Sequence, residues 1–166
     1  MDEMDEVDGI VAGWTAVRPE LDLAALQVLS RVRRLSHLLD NRREQAFAEY
    51  GLAAHEFDVL AALRRSGEAA ELTPGQLVEA THVTSGTMTN RLDRLEGRRL
   101  ISRRAHPTDG RVQLVRLSAA GRRRVDGALD ALLAFEDEMM AEVGGRDQAT
   151  MIRALRVLLA GEDVSG

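Results

Sequence analysis

An Asp-Gly step at Asp109-Gly110, just after Pro107, interrupts a chain whose apolar residues otherwise recur every three or four positions. The recurring period specifies helices. An Asp-Gly step between two short apolar runs specifies a β-hairpin. The flanking runs, Leu100 to Ala105 and Val112 to Leu117, read as its two strands. The fold class expected is therefore mainly α, with one hairpin set between helices. Hydrophobic residues fill 45% of the 166 positions and aromatics only 3%, so the core must be built of Leu, Ala, Val and Ile. That length suggests one domain, or one domain with extra helices.

The helices can be placed by their punctuation. Ile10, Val11, Trp14 and Val17 make a short amphipathic pattern that Arg18-Pro19 breaks. Leu21, Ala25, Val28, Leu29, Val32, Leu35, Leu38 and Leu39 predict one long helix to about Tyr50, with Gly51 as its cap. A second helix over 54–65 carries Phe57, Leu60 and Leu63 and stops at Ser66-Gly67. Thr73-Pro74-Gly75-Gln76 is a helix start, with Thr73 as cap, Pro74 at the first position and Gln76 closing a capping box. That short helix reaches about Ala80. Thr84 or Ser85 caps the next, which ends at Glu96 or Gly97. Two short helices joined this tightly match a helix-turn-helix. After the hairpin, Ser118 caps a long helix to about Val143, stopped by Gly144-Gly145, and a last helix runs from about Arg146 to Ala160.

Several classes of chemistry are excluded. There is no cysteine, hence no disulfide, thiolate metal site or thiol nucleophile. His37, His55, His82 and His106 lack metal-ligand spacing, and no phosphate-cradling loop or nucleophile elbow occurs. Neither an enzyme nor a cofactor or metal is expected. No apolar run approaches the roughly 20 residues of a membrane span. Met1 to Asp8 is acidic, unlike a secretory leader, and a cytoplasmic location is the expectation.

Charge points to a polyanion. The formal net charge is −5, but Leu72 to Arg124 holds eleven Arg against Glu79, Asp93, Glu96 and Asp109. This segment is +7 within a chain that is otherwise −12. All basic residues are arginine, which suits bidentate contact with phosphate and guanine. On a helical wheel over 84–97, Met88, Leu92 and Leu95 share the inward face. Gly86, Asn90, Asp93 and Arg94 point away, with Thr87 and Thr89 on the flanks. A recognition helix needs such a small, polar leading face, because its first turns approach base edges. Asn90 can read adenine and Arg94 guanine. Ser85, Thr87, Thr89, Asn90 and Arg94 are therefore candidate DNA contacts. Arg111, beside the hairpin tip, can enter a minor groove. Arg103, Arg104 and Arg116 on the strands can meet phosphate or simply be exposed, and Arg104 is counted among the candidate DNA contacts.

The run TSGTMTNRLDRLEGRRLISRRAHPTDGRVQLVRLSAAG resembles the recognition helix and wing of the MarR family of transcriptional regulators. Asp109-Gly110-Arg111, Leu117-Ser118 and Gly121 carry the likeness. The family commonly has Gly just before the Leu-Ile that opens the wing. Here that residue is Arg99, at a cost of about 1 kcal/mol if the position is left-handed, unless Gly97 ends the helix earlier. The resemblance implies a winged helix-turn-helix head over 51–117. It implies dimerisation helices over 19–50 and 118–162, and an extra N-terminal helix over 1–18. It also implies a homodimer on a pseudopalindromic double-stranded operator, with half-sites roughly 34 Å apart, and repression of a neighbouring gene.

The segments GIVAGWTAVRPELDL and EFDVLAALRRSG further resemble the urate-responsive branch of that family. The branch's ligand pattern of one Trp, one Asp and two Arg falls on Trp14, Asp58, Arg91 and Arg103. The resemblance implies that a small anion such as urate binds there and releases DNA. Read from the residues alone, Trp14 is a packing anchor before it is a ligand contact, and Asp58 a first-turn acid favoured by the helix dipole before it is one. Arg103 is equally a phosphate contact. Arg91 lies at the edge of the inward face and needs a partner, either a carboxylate or an anionic ligand. Other carboxylate or phenolic effectors, or ligand-independent architectural DNA binding, remain alternatives.

Overall fold

The computed structural model describes residues 4–67 and 70–160. The order is α1 (Glu6–Val17), α2 (Ala24–Glu49), α3 (Ala54–Arg65), α4 (Pro74–Thr81), α5 (Ser85–Gly97), β1 (Ile101–Ala105), β2 (Gln113–Leu117), α6 (Ala119–Met140) and α7 (Gly145–Ala160). The fold is mainly helical with one antiparallel hairpin, as the periodicity predicts. The register pairs Ile101 with Leu117 and Ala105 with Gln113. An isolated bridge from Leu72 to Val115 adds a third short edge, so the segment before α4 is tied to the wing.

The starts follow the side chains that cap them. Thr73 accepts from the Gln76 backbone while Gln76 reaches back to the Thr73 N–H, and Pro74 occupies the first turn. Thr84 caps α5 and Ser118 caps α6. Ala53 has no side-chain acceptor at the start of α3, so only the Glu56 half of a box exists there, with the Ala53 N–H donating to Glu56 at 3.0 Å. Gly51, at φ +63°, closes α2 in the left-handed conformation that glycine adopts at little cost.

The core joins the helix-turn-helix to the adjoining ends of α2 and α6. Phe47 stacks on Phe57 with ring centroids 3.9 Å apart. Leu60, Leu63, Leu77, Met88, Leu92, Leu95, Leu100 and Val115 are fully buried beside them, with Val125 and Ala128 from α6. Beyond this core the helices expose their apolar faces. Val28, Leu29, Val32, Leu35 and Leu38 of α2, and Leu129 and Leu133 of α6, all lie open. Every residue of α7 except Gln148 is exposed. The N-terminal helix α1 buries Val7 and leaves Ile10, Trp14 and Val17 open. Arginines of α2 hold it in place: Arg31 bonds Asp5 at 2.8 Å and Asp8 at 2.7 Å, and Arg34 bonds Glu6.

Candidate nucleic-acid interface

Helices α4 and α5 meet at a turn where His82 takes φ +52°, a left-handed position filled without glycine. From there α5 emerges with Met88, Leu92 and Leu95 buried. Ser85, Gly86, Thr87, Thr89, Asn90, Asp93 and Arg94 are exposed. The wheel is thus realised: the helix is anchored by one apolar stripe and offers the small polar face outward. Two hydroxyls on that face are already oriented. Thr89 donates to the Ser85 carbonyl at 3.1 Å, and the Thr84 and Thr87 hydroxyls lie 2.9 Å apart. Asn90 and Arg94 make no side-chain bond to any described residue, which leaves their donors available.

The hairpin tip is shaped by Asp109, whose carboxylate accepts from the Arg111 N–H at 3.1 Å and whose carbonyl accepts from the Val112 N–H at 2.9 Å. Arg111 stands exposed beside it with no ion pair among the described residues. Other arginines are committed. Arg104 binds Glu71 through Nε at 2.8 Å, and its guanidinium holds the Glu71 carboxyl below the usual carboxylate range. Arg103 is clamped to Glu96 at 2.9 Å and Asp93 at 2.7 Å, which braces β1 against α5 and lowers the Glu96 carboxyl in the same way. Among the predicted DNA-facing cations, Arg94, Arg111 and Arg116 are exposed and form no ion pair with a described carboxylate, so a phosphate or base edge meets them without that competition.

Arg99 takes φ +58° immediately before the wing. Gly97 does not end α5 early enough to relieve it, because Gly97 is the last helical residue and Arg98 the cap. The left-handed step is thus made by an arginine whose carbonyl accepts the Ser118 hydroxyl at 2.8 Å.

The four residues matched to a ligand pattern lie on four elements. Trp14 is 49% exposed on α1. Asp58 forms an ion pair with Arg43 at 3.2 Å. Asp58 and Arg43 line a groove of about 1230 Å³ between α2 and α7, with Leu35, Leu39 and Leu155. Trp14, Arg91 and Arg103 do not line that groove. Arg91 is half-buried and makes no bond to a described residue, and Arg103 is held by its two carboxylates.

Sequence reasoning overlooked three contributors. Glu56 is buried and bonded to Arg98. Its spacing, three residues after the cap position of α3, is the signal that was available. Glu71 neutralises Arg104 from 33 residues away, across α4 and α5, and no local pattern reveals it. Gly127 receives the Tyr50 ring, which would lie 2.3 Å from a Cβ placed there. No group of His, Asp and Glu able to hold a metal occurs among the described residues, and none of their helices is long and apolar enough to cross a membrane.

A polar recognition helix, a preceding positioning helix and an arginine-tipped hairpin define a winged helix-turn-helix, the class built to read duplex DNA. The family model described as MarR family matches residues 50–112. The HTH-type transcriptional regulator PecS of Dickeya dadantii is 33% identical over 150 residues, covering 90% of each chain. Wild-type MarR from E. coli in its apo form superposes with a TM-score of 0.59 at 27% identity, over 76% of this chain and 95% of that one. A mutant MarR from E. coli complexed with operator DNA gives 0.67 at 22% identity, over 88% and 97%. The chain belongs to the MarR family of DNA-binding transcriptional regulators. Membership places it among regulators rather than enzymes.

Proposed function

We propose that two copies of this chain bind a pseudopalindromic operator, repress transcription there, and release the DNA when a small anion such as urate binds. The observation that carries the DNA half is the division among arginines. Arg103 and Arg104 are neutralised by carboxylates of the head, whereas Arg94 on the reading helix and Arg111 at the wing tip pair with no carboxylate among the described residues. Asn90 lies between the small leading residues and Arg94, where a recognition helix presents its base-reading groups. Ser85, Thr87 and Thr89 complete that face, and Arg104 serves phosphate only after leaving Glu71. The exposed apolar residues of α1, α2 and α7 support the dimer, since apolar faces left open on several helices are the kind of surface an interface covers.

For the effector, the supporting features are Arg91, a half-buried cation on the reading helix with no carboxylate partner among the described residues, and Trp14, an exposed flat ring. Asp58 and Arg103 would complete the set once the ligand draws α1 and the head together. A ligand shifts the equilibrium only by favouring the released state. The test is a gel-shift titration on duplex from upstream of the chain's own gene, with and without millimolar urate. Release by urate that Arg91→Ala abolishes supports the reading. Binding that urate leaves unchanged keeps the repressor and replaces urate with another carboxylate or a phenol.

A further inference from the structure

Glu56 is the one charged side chain that is buried among the described residues, at 6% exposure. Its carboxylate accepts the Ala53 N–H at 3.0 Å and receives Arg98 Nη1 at 2.6 Å from each oxygen. The other Arg98 nitrogen, Nη2, donates to the Gly51 carbonyl. Each of these groups sits at an end. Gly51 terminates α2, Glu56 lies in the first turn of α3, and Arg98 caps α5. One guanidinium therefore ties the end of the long arm to the end of the reading helix.

The apolar contacts nearby cannot do this. The Phe47–Phe57 stack and Leu95 hold the same elements together, but apolar burial is non-directional. A short charge-assisted hydrogen bond is directional and fixes relative orientation. A single buried polar group can likewise set register where the surrounding apolar residues do not. We propose that Arg98 and Glu56 are positioning residues for DNA reading, forming a strut that sets the angle of α5 to α2. The proposal rests on the DNA-binding reading above. It assigns Arg98 no contact with DNA, although Arg98 belongs to the +7 segment. It also makes the bend at Gly51 and the tilt of the recognition helix one coordinate, so a change in how two α2 arms sit against each other reaches α5 through this pair.

The test uses the full chain and a duplex that the wild type enriches from a random pool. Fluorescence anisotropy gives the affinity for that duplex, the affinity for random duplex, and the salt dependence of each. In Arg98→Met the preference for the enriched duplex falls at least ten-fold, while random-duplex affinity and its salt slope stay unchanged. Glu56→Gln does the same, and Arg98→Lys recovers part of the preference by keeping the charge. Because a lone Glu56 could unfold the head, the decisive variant is Glu56→Leu combined with Arg98→Met, which leaves no orphan charge. That variant keeps the wild-type circular dichroism and still loses preference. A double variant with full preference overturns the strut alone. A salt slope reduced by about one in Arg98→Met makes Arg98 a phosphate contact and overturns it too. A wild type that enriches no duplex overturns the DNA reading itself.

Discussion

Gly121 lies so close beneath Leu100 that a Cβ on it would stand 2.0 Å from the Leu100 carbonyl oxygen. The same oxygen accepts the Ser118 N–H at 3.0 Å, so the start of α6 is pressed against the opening of the wing. The obstruction is backbone and cannot rotate aside. Gly121→Ala is expected to destabilise the fold by about 2 kcal/mol or more, at the upper part of the range for overpacking. Urea unfolding followed by circular dichroism measures it, with a loss under about half a kcal/mol as the contrary result.

Arg99 gives the opposite expectation. Its φ of +58° strains an L-residue, and its side chain is exposed. Arg99→Gly is expected to stabilise by about 0.5–1 kcal/mol, the left-handed penalty relieved less the extra chain entropy. A thermal midpoint that falls would show that the Arg99 side chain does more in the native state than its exposure suggests.

Freeing an arginine should strengthen non-specific binding. Glu71 accepts from Arg104 at 2.8 Å. Glu71→Gln leaves that guanidinium for phosphate, and random-duplex affinity should rise with a salt slope steeper by about one. Arg111→Ala should lower both by a similar step. Asn90→Ala should cost about 1–3 kcal/mol on the preferred duplex and little on random duplex. Equal losses on both would remove Asn90 from base reading.

Acid should weaken the head through Glu56. Burial pushes its carboxyl up, but hydrogen bonds from Arg98 and Ala53, with the Arg98 and His55 charges, leave it below its usual value of 4.5. A folded value below the unfolded one means the contribution is complete above the unfolded value and disappears as pH falls through the folded one. Stability should therefore decline below about pH 4.5. Glu56→Gln, weaker at neutral pH, should decline less. Parallel pH profiles for the two chains would count against this assignment.

The proposed dimer can be tested at α7. Leu155 and Leu158 are exposed on it, at 40% and 52%. Leu155→Glu should move the mass measured by sedimentation from dimer to monomer, and operator affinity should fall with it.

Much of this architecture was legible because it is local. Thr73-Pro74-Gly75-Gln76 announces α4 through bonds spanning three residues. Asp109-Gly110 announces the hairpin, and Met88, Leu92 and Leu95 the buried stripe of α5, all within one turn or one helix. What escaped is what the fold brings together from afar. Arg98 meets Glu56 from 42 residues away, and Arg104 meets Glu71 from 33, with whole helices between them, and no local period encodes which carboxylate an arginine will find. Arg99 shows a further limit. The wing demands a left-handed residue there, and this chain supplies one without the glycine that would have marked it.

The openness of α7 has a consequence for how such a chain is held in a cell. A helix of 16 residues with no buried residue of its own is marginal in water. With the dimer proposed above, its order depends on how many copies are present, since association stabilises by mass action. Surplus or solitary chains would then offer α7 as a ready cut site for proteases, while paired chains withhold it. The regulator's abundance would in this way be trimmed toward the number that can pair, with no dedicated degradation signal.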